Sequence, residues 1–158
     1  MSVCINNPEL IFPALIVFLI GLFFLVGRIS GWATLATLYR LSGEFIGECW
    51  RFQSAEMRWK IGYNNCLTIG ANASGLYLSV FFLFRFGHPN LFIPWPDISV
   101  SLKKSLFTPC MEFRFRQAPT IPFRVNEKLG QRIAQASGRA WPGEERKEVK
   151  DGYQFSRP

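Results

Sequence analysis

Residues 10–27 form an apolar run without a charged side chain near the start of the 158-residue chain. At about 1.5 Å of rise per residue, a helix of that length reaches roughly 27 Å, close to the hydrocarbon thickness of a bilayer. Asn7 can cap the helix, Pro8 suits its first position and Glu9 favours its positive end, while we expect Pro13 to kink the helix or delay its start. The run predicts a transmembrane helix over residues 10–31.

The apolar run has two alternative interpretations, a cleaved signal peptide and a buried helix of a soluble protein. A signal peptide carries a basic region and a small-residue cleavage site, and residues 1–27 hold no Lys or Arg and no such site. We therefore interpret the run as a retained anchor. Gly27 and Gly31 have the G-x-x-x-G spacing of some helix dimers, but they flank Arg28 at the lipid boundary, so we interpret that spacing as chance.

The basic residues around the predicted span lie on its C-terminal side. They are Arg28, Arg40, Arg51, Arg58 and Lys60. The positive-inside rule then predicts a single-pass membrane protein with residues 1–9 outside and the C-terminal domain in the cytoplasm. Four cysteines without a C-x-x-C pair agree with a reducing compartment.

Residues 32–50 predict an amphipathic connector. Apolar side chains recur there at helical spacing, at Trp32, Leu35, Leu38, Tyr39, Phe45 and Ile46. The helix is expected to lie on or leave the membrane interface, with Trp32 at interface depth. A plain linker and a partner-binding helix are both open interpretations, and Trp32 is a candidate contact with lipid or partner.

Residues 51–138 predict a mainly-β domain. Alternation at residues 57–61 indicates its first strand, residues 63–65 a turn, and residues 67–98 carry the densest strand pattern. Within them, residues 72–75 predict a hairpin turn, residues 80–84 an apolar strand, residues 87–90 a second turn and residues 91–95 a short edge strand.

The remainder of this domain continues the strand pattern and ends in a helix. Alternation predicts strands around residues 98–102, 111–116 and 121–125, with a turn at residues 108–109. Asn126 is expected to cap a helix whose apolar side chains are Leu129, Ile133 and Ala136, and Gly138 to end it. Gly130 should weaken the helix by about 1 kcal/mol relative to Ala. Residues 139–158 predict a polar tail.

Six or seven antiparallel strands followed by one helix resemble the pleckstrin-homology-like superfold, including GRAM-type and bacterial versions. The resemblance covers residues 51–137 and is carried by GLYLS at residues 75–79, IPWPDIS at residues 93–99 and the helix from Asn126. It implies an antiparallel barrel or sandwich closed by a C-terminal helix, in a membrane-anchored protein of the bacterial inner membrane. A clustered basic loop, which phosphoinositide-binding members use, is not recognisable here, so the resemblance implies a fold more than a ligand.

The electrostatic lead in the sequence is a set of basic residues on consecutive predicted strands. They are Lys103, Lys104, Arg114, Arg116 and Arg124. On one wet sheet face they would form a patch for anionic lipid or an acidic partner, opposed locally by Glu112. Ordinary solvation of an outer sheet face is the alternative interpretation.

We predict no catalytic, cofactor or metal site. His88 lacks a recognisable nucleophile or carboxylate partner and is expected in a turn or packing role, and Asp97 is expected to cap or to hold a turn. One His and scattered Cys make a zinc site an unfavourable interpretation. Nucleic-acid binding is disfavoured because no known motif is present.

The sequence therefore predicts a non-catalytic, membrane-anchored binding module. We expect a scaffold or accessory subunit of a larger membrane complex, because sixteen phenylalanines and five tryptophans exceed what a core of this size needs. The alternative is a module that binds anionic lipid headgroups through the basic strands. An unrecognised enzyme is a third hypothesis.

Overall fold

The computed structural model describes residues 8–105 and 108–143. The cap predicted at Asn7, most of the predicted outer tail and residues 144–158 of the predicted polar tail lie outside these ranges. The backbone of Lys104 is described, but its side chain is not. The fold described below is that of the two described ranges.

The apolar run forms helix α1 (Pro8–Ile29), as predicted. Pro13 lies inside this helix and does not delay its start. Over residues Ile11–Ile29 the helix is long and apolar enough to cross a membrane, and only 6% of its most apolar window is buried. The helix therefore leaves almost its whole apolar surface uncovered by the rest of the chain.

Helix α2 (Trp32–Tyr39) corrects the prediction for the connector. The helical spacing is confirmed, but Trp32, Leu35 and Tyr39 are buried in the core of the β domain. Trp32 is completely buried and its indole N–H donates to the Pro89 carbonyl at 2.9 Å, so it offers no surface to lipid or a partner. An amphipathic pattern indicates that one face of a helix is buried, but not whether lipid, a partner or the chain's own core covers that face.

Gly31 makes the turn between the two helices. Its φ of +91° is in the left-handed region, where residues with a Cβ are strained. A Cβ at this position would also lie 2.6 Å from Ile121 Cδ1. A Cβ on Gly27 would lie 2.9 Å from His88 Cε1, so both glycines of the G-x-x-x-G spacing pack against the chain's own domain.

Seven antiparallel strands form one continuous sheet in the described residues, in the order β4-β3-β2-β1-β7-β6-β5. The strands are β1 (Glu48–Glu56), β2 (Gly62–Ala71), β3 (Gly75–Val80), β4 (Leu91–Pro94), β5 (Ile98–Ser105), β6 (Thr108–Phe115) and β7 (Ala118–Asn126). The first four and the last three each follow one another in space, and a single residue pair, Glu56 with Arg124, joins β1 to β7. The two meanders and the helices enclose one hydrophobic core.

The start of the sheet differs from the prediction. The first strand is Glu48–Glu56, the predicted strand at residues 57–61 is largely a 3₁₀ turn (Arg58–Lys60), and the predicted turn at residues 63–65 lies within β2. Trp59 has a φ of +60° and is three-quarters exposed. Two register shifts in β1 blur the alternation that would have marked it.

Most later elements follow the prediction. Asn72 Oδ1 accepts hydrogen bonds from the N–H groups of Ser74 and Gly75, which holds the β2–β3 hairpin turn. Strands β5, β6 and β7 contain the predicted alternating segments, although Thr108 and Pro109 belong to β6 rather than to a turn. The apolar segment at residues 80–84 is not a strand, since β3 ends at Val80 and a 3₁₀ turn (Phe82–Phe84) follows.

Helix α3 (Glu127–Ser137) closes the core as predicted. The Asn126 side chain accepts from the Leu129 N–H at 2.7 Å, and Gly138 follows the helix with a φ of +56°. The structure explains the glycine at position 130 by close packing against β6. A Cβ there would lie 2.8 Å from Met111 Cγ and closer still to its Sδ.

We therefore expect Gly130→Ala to destabilise the protein, although the same change in an exposed helix gains about 1 kcal/mol. The added methyl group would overlap Met111, and such overpacking costs about 1–3 kcal/mol. The measurement is denaturant unfolding of the full chain in detergent. In a Met111→Ala background the cost should shrink, and equal costs in both backgrounds would contradict the packing explanation.

Candidate functional site

Three of the predicted basic residues converge on one carboxylate, Glu112. Arg124 pairs with Glu112 across β6 and β7, Arg114 is two residues further along β6, and Lys103 lies diagonally opposite on β5. Lys103 Nζ and Arg114 Nε lie 2.8 Å from Glu112 Oε1, and Arg124 Nε lies 2.7 Å from Oε2. The sheet register thus brings these side chains together around a shared anion.

Glu112 is completely buried beneath the bases that surround it. Burial alone would raise the pKa of its carboxyl, but hydrogen bonds from Lys103, Arg114 and Arg124 outweigh that effect and lower it to about 2. Glu112 is therefore ionised at neutral pH. One buried carboxylate with three charge-assisted bonds holds the last three strands together.

The bases around Glu112 remain accessible at their outer sides, and one carboxylate cannot neutralise three cations. Arg116 adds a more exposed guanidinium, which donates to the Pro96 carbonyl at 2.6 Å and lies 3.7 Å from Asp97 Oδ1. The described surface is thus basic, but each of its described cations also has an anchor within the fold.

The other predicted contacts lie outside this cluster. Lys104 pairs in register with Pro109, and its side chain is outside the described residues. Trp32 is buried in the core and does not join the basic face. Asp97 is the predicted turn carboxylate, since it ends a 3₁₀ turn and its Oδ2 accepts from Tyr39 Oη at 3.2 Å and Gln117 Nε2 at 3.0 Å.

A buried polar network at the foot of α1 was missed by the sequence analysis. Tyr63 Oη lies 2.8 Å from Ser30 Oγ and 3.0 Å from His88 Nε2, and His88 Nδ1 lies 3.0 Å from the Phe86 carbonyl. A carbonyl oxygen only accepts, so Nδ1 carries the proton. Nε2 then accepts from Tyr63, and Tyr63 accepts from Ser30.

This network fastens α1 to the β domain. Burial raises the pKa of Tyr63 to about 12 and lowers the pKa of His88, so both groups are neutral at pH 7. The Trp32 ring packs on His88 with 5.4 Å between centroids. His88 has the turn and packing role predicted for it, but its polar partners, distant in sequence, gave no local signal.

The described residues also contain two grooves of interest. A groove of about 270 Å³ with a mixed lining adjoins the basic face, and its lining includes Glu56, Cys110 and Arg124. An apolar groove of about 350 Å³ lies between α1 and the domain, and its lining includes Phe23 and Phe84. Within residues 8–105 and 108–143, no group of three or more His, Cys, Asp or Glu side chains could hold a metal ion.

Glu112→Gln should lower the free energy of unfolding at pH 7 by about 2–3 kcal/mol, because three cations lose a buried anionic acceptor. The pKa of Glu112 is lowered on folding from 4.5 to about 2, so its stabilisation is complete above pH 4.5 and disappears as the pH falls towards 2. Denaturant unfolding across this pH range measures the effect. Glu44→Gln, at an exposed position, is the control. A gap between wild type and Glu112→Gln that stays constant with pH would contradict the assignment.

Tyr63→Phe should lower the free energy of unfolding by about 1–3 kcal/mol, because Ser30 and His88 both lose a buried partner. Thermal unfolding of the full chain in detergent at pH 7.5 measures the loss. Tyr77→Phe is the matched control, since the described contact of Tyr77 is ring stacking on Phe45. Equal effects of the two changes would show that the network adds no stability.

The comparisons with known proteins add no relative to this picture. No family model, curated protein or solved structure matches the chain. Evidence for the chain's function therefore comes from its own residues and their geometry.

Proposed function

We propose that this protein is a single-pass membrane protein whose β domain works by binding, as a scaffold or accessory subunit of a larger membrane complex. The domain is proposed to be pleckstrin-homology-like. A four-strand meander, a three-strand meander and a closing C-terminal helix support that assignment.

Charge around α1 supports the proposed orientation. Arg28 lies in its last turn, and Arg40, Arg51, Arg58 and Lys60 follow it. The positive-inside rule then directs the β domain to the cytoplasm of a bacterial cell and the N-terminal end of α1 to the outside. The mostly uncovered surface of α1 supports its placement in lipid.

The observation that carries the proposal is the buried junction between α1 and the domain. Ser30, Tyr63 and His88 form a hydrogen-bonded chain there, and Trp32 packs against it. The domain is thereby held at a set orientation to the helix rather than on a loose tether. A scaffold requires such an orientation, because its partners must meet at defined positions.

Exposed apolar side chains on the domain support a protein partner. Ile46 is 85% and Trp59 75% exposed, the highest values among the large apolar residues of the described chain. Aromatic residues are enriched at the centres of protein interfaces. We propose that Trp59 contributes to the contact with a partner subunit.

Anionic lipid binding through the basic strands is the second candidate. Ile121 packs against Gly31 at the end of the membrane helix, and Arg124 follows three residues later on β7. At about 3.3 Å per residue, Arg124 is roughly 10 Å along the strand from Ile121, a distance comparable to the Debye length in physiological salt. Lys103, Arg114 and Arg116 extend the same surface.

We propose no catalytic role. The buried titratable groups Glu112 and His88 direct their polar atoms to partners within the fold. A catalytic acid or base needs a polar atom directed to a substrate.

The test is purification of the tagged full-length chain from its native membrane in mild detergent, with mass spectrometry of the proteins that accompany it. We expect a stoichiometric set of membrane proteins that survives high salt, because an apolar interface is little screened. Trp59→Ser should deplete that set, whereas the control Glu44→Gln should not. A chain that elutes alone would contradict the scaffold proposal.

The lipid alternative has its own measurement in nanodiscs that contain the full chain. Enrichment of anionic phospholipid around the protein should fall steeply with salt and with the double change Arg114→Gln and Arg116→Gln. Enrichment that is insensitive to both would exclude the basic face as a lipid site.

A further inference from the structure

The loop between β3 and β4 exposes an unusual run of apolar side chains. It contains the sequence FFLFRF at residues 81–86. Phe82 is 65% exposed and Leu83 57%, although both are large apolar residues in a folded domain. The Phe81 ring packs on the Phe82 ring at 4.6 Å between centroids and on Phe52 at 5.8 Å. The exposed groups therefore form one continuous surface, called here the aromatic loop (residues 81–86 with Phe52).

The aromatic loop lies directly against the membrane helix. The rings of Phe84 and Phe23 are 4.8 Å apart, and Gly87 packs against Phe24. Phe23 and Phe24 precede the end of α1 at Ile29 by six and five residues. At 1.5 Å per residue, these contacts lie about 8–9 Å inside the apolar length of the helix.

That depth decides what surrounds the loop. If Ile11–Ile29 spans the hydrocarbon, side chains level with Phe23 lie below the headgroups on the domain side. We propose that the aromatic loop inserts into this leaflet, where the acyl chains of phospholipids cover Phe82, Leu83 and Phe86. The inference rests on the membrane anchoring proposed above. The protein would thus be anchored in this leaflet by two elements, the spanning helix and the inserted loop.

Two further observations fit an acyl-chain environment. The groove of about 350 Å³ beside Phe84 has a mainly apolar lining that includes Leu22, Val26 and Val80. Arg85, the charged residue of the loop, donates to Asn90 Oδ1 at 2.8 Å. Its guanidinium is thus held near the sheet, as expected for a cation that must stay close to the headgroup layer.

A protein partner is a less suitable occupant. Of the proposed membrane partners, only one that packs beside α1 within the bilayer could cover the loop at the level of Phe23. Lipid is present at that depth without any partner. Irregular backbone at this depth needs internal hydrogen bonds, and three N–H groups of the loop make them: those of Phe81, Phe84 and Arg85 donate to the carbonyls of Cys66, Phe81 and Phe82.

The test places a photoreactive phenylalanine, p-benzoylphenylalanine, at single positions of the full chain reconstituted in phosphatidylcholine bilayers. The positions are Phe82 and Leu83 in the loop, Phe18 on α1 and Ile46. Ile46 lies beside the β2–β3 hairpin turn, because its carbonyl accepts from Asn72 Nδ2. The six residues of β3 separate that turn from the loop, about 20 Å. After irradiation, mass spectrometry counts phospholipid adducts at each position.

We expect lipid adducts at Phe82 and Leu83 at a yield near that of Phe18 and several-fold above that of Ile46. Adducts at Phe18 with yields at Phe82 and Leu83 no higher than at Ile46 would overturn the inference and leave the anchor intact. Adducts between two copies of the chain at the loop, in place of lipid, would also overturn it. Absence of adducts at Phe18 would remove the membrane anchor itself and the loop insertion with it.

Discussion

The junction between α1 and the sheet fixes the position of the helix relative to the β domain. Three polar side chains, from Ser30, Tyr63 and His88, meet directly after the C-terminal end of the apolar helix α1. Buried hydroxyl and imidazole groups are costly unless every polar atom has a partner, and here the donors form a directed chain that ends at a backbone carbonyl. The helix and the sheet therefore share one folding unit.

The electrostatics of the sheet follow a similar rule. Glu112 sits under the charged groups of three basic residues, so the basic face has an anion at its centre. A buried carboxylate of this kind fixes side-chain positions and reduces the positive potential available to a ligand. Exposed charge on a β-sheet can thus serve the register of the strands as much as recognition.

Local signals in the sequence identified the later half of the domain well. Asn126 and Gly138 mark α3, and strict alternation marks β5 to β7, because one face of each strand is buried. The strand predicted from the alternation at residues 57–61 was wrong, since Trp59 lies in a 3₁₀ turn and the true first strand, β1, is bulged. The candidate basic residues could be named from sequence, but the burial of Glu112 depends on how β5, β6 and β7 pair. The polar network of His88 includes Ser30 and Tyr63, which are distant from it in sequence. The seven-stranded sheet and closing helix are confirmed, whereas the pleckstrin-homology-like assignment stays a prediction.

The burial of α2 has a consequence for how this protein is made. Trp32 and Leu35 fill the centre of the sheet's core, yet they emerge from synthesis long before the strands that surround them. Until β7 is complete, the apolar side chains of this short helix lack part of the core that surrounds them in the folded protein. The segment that is made early therefore completes its packing only when the last strands close the sheet around it.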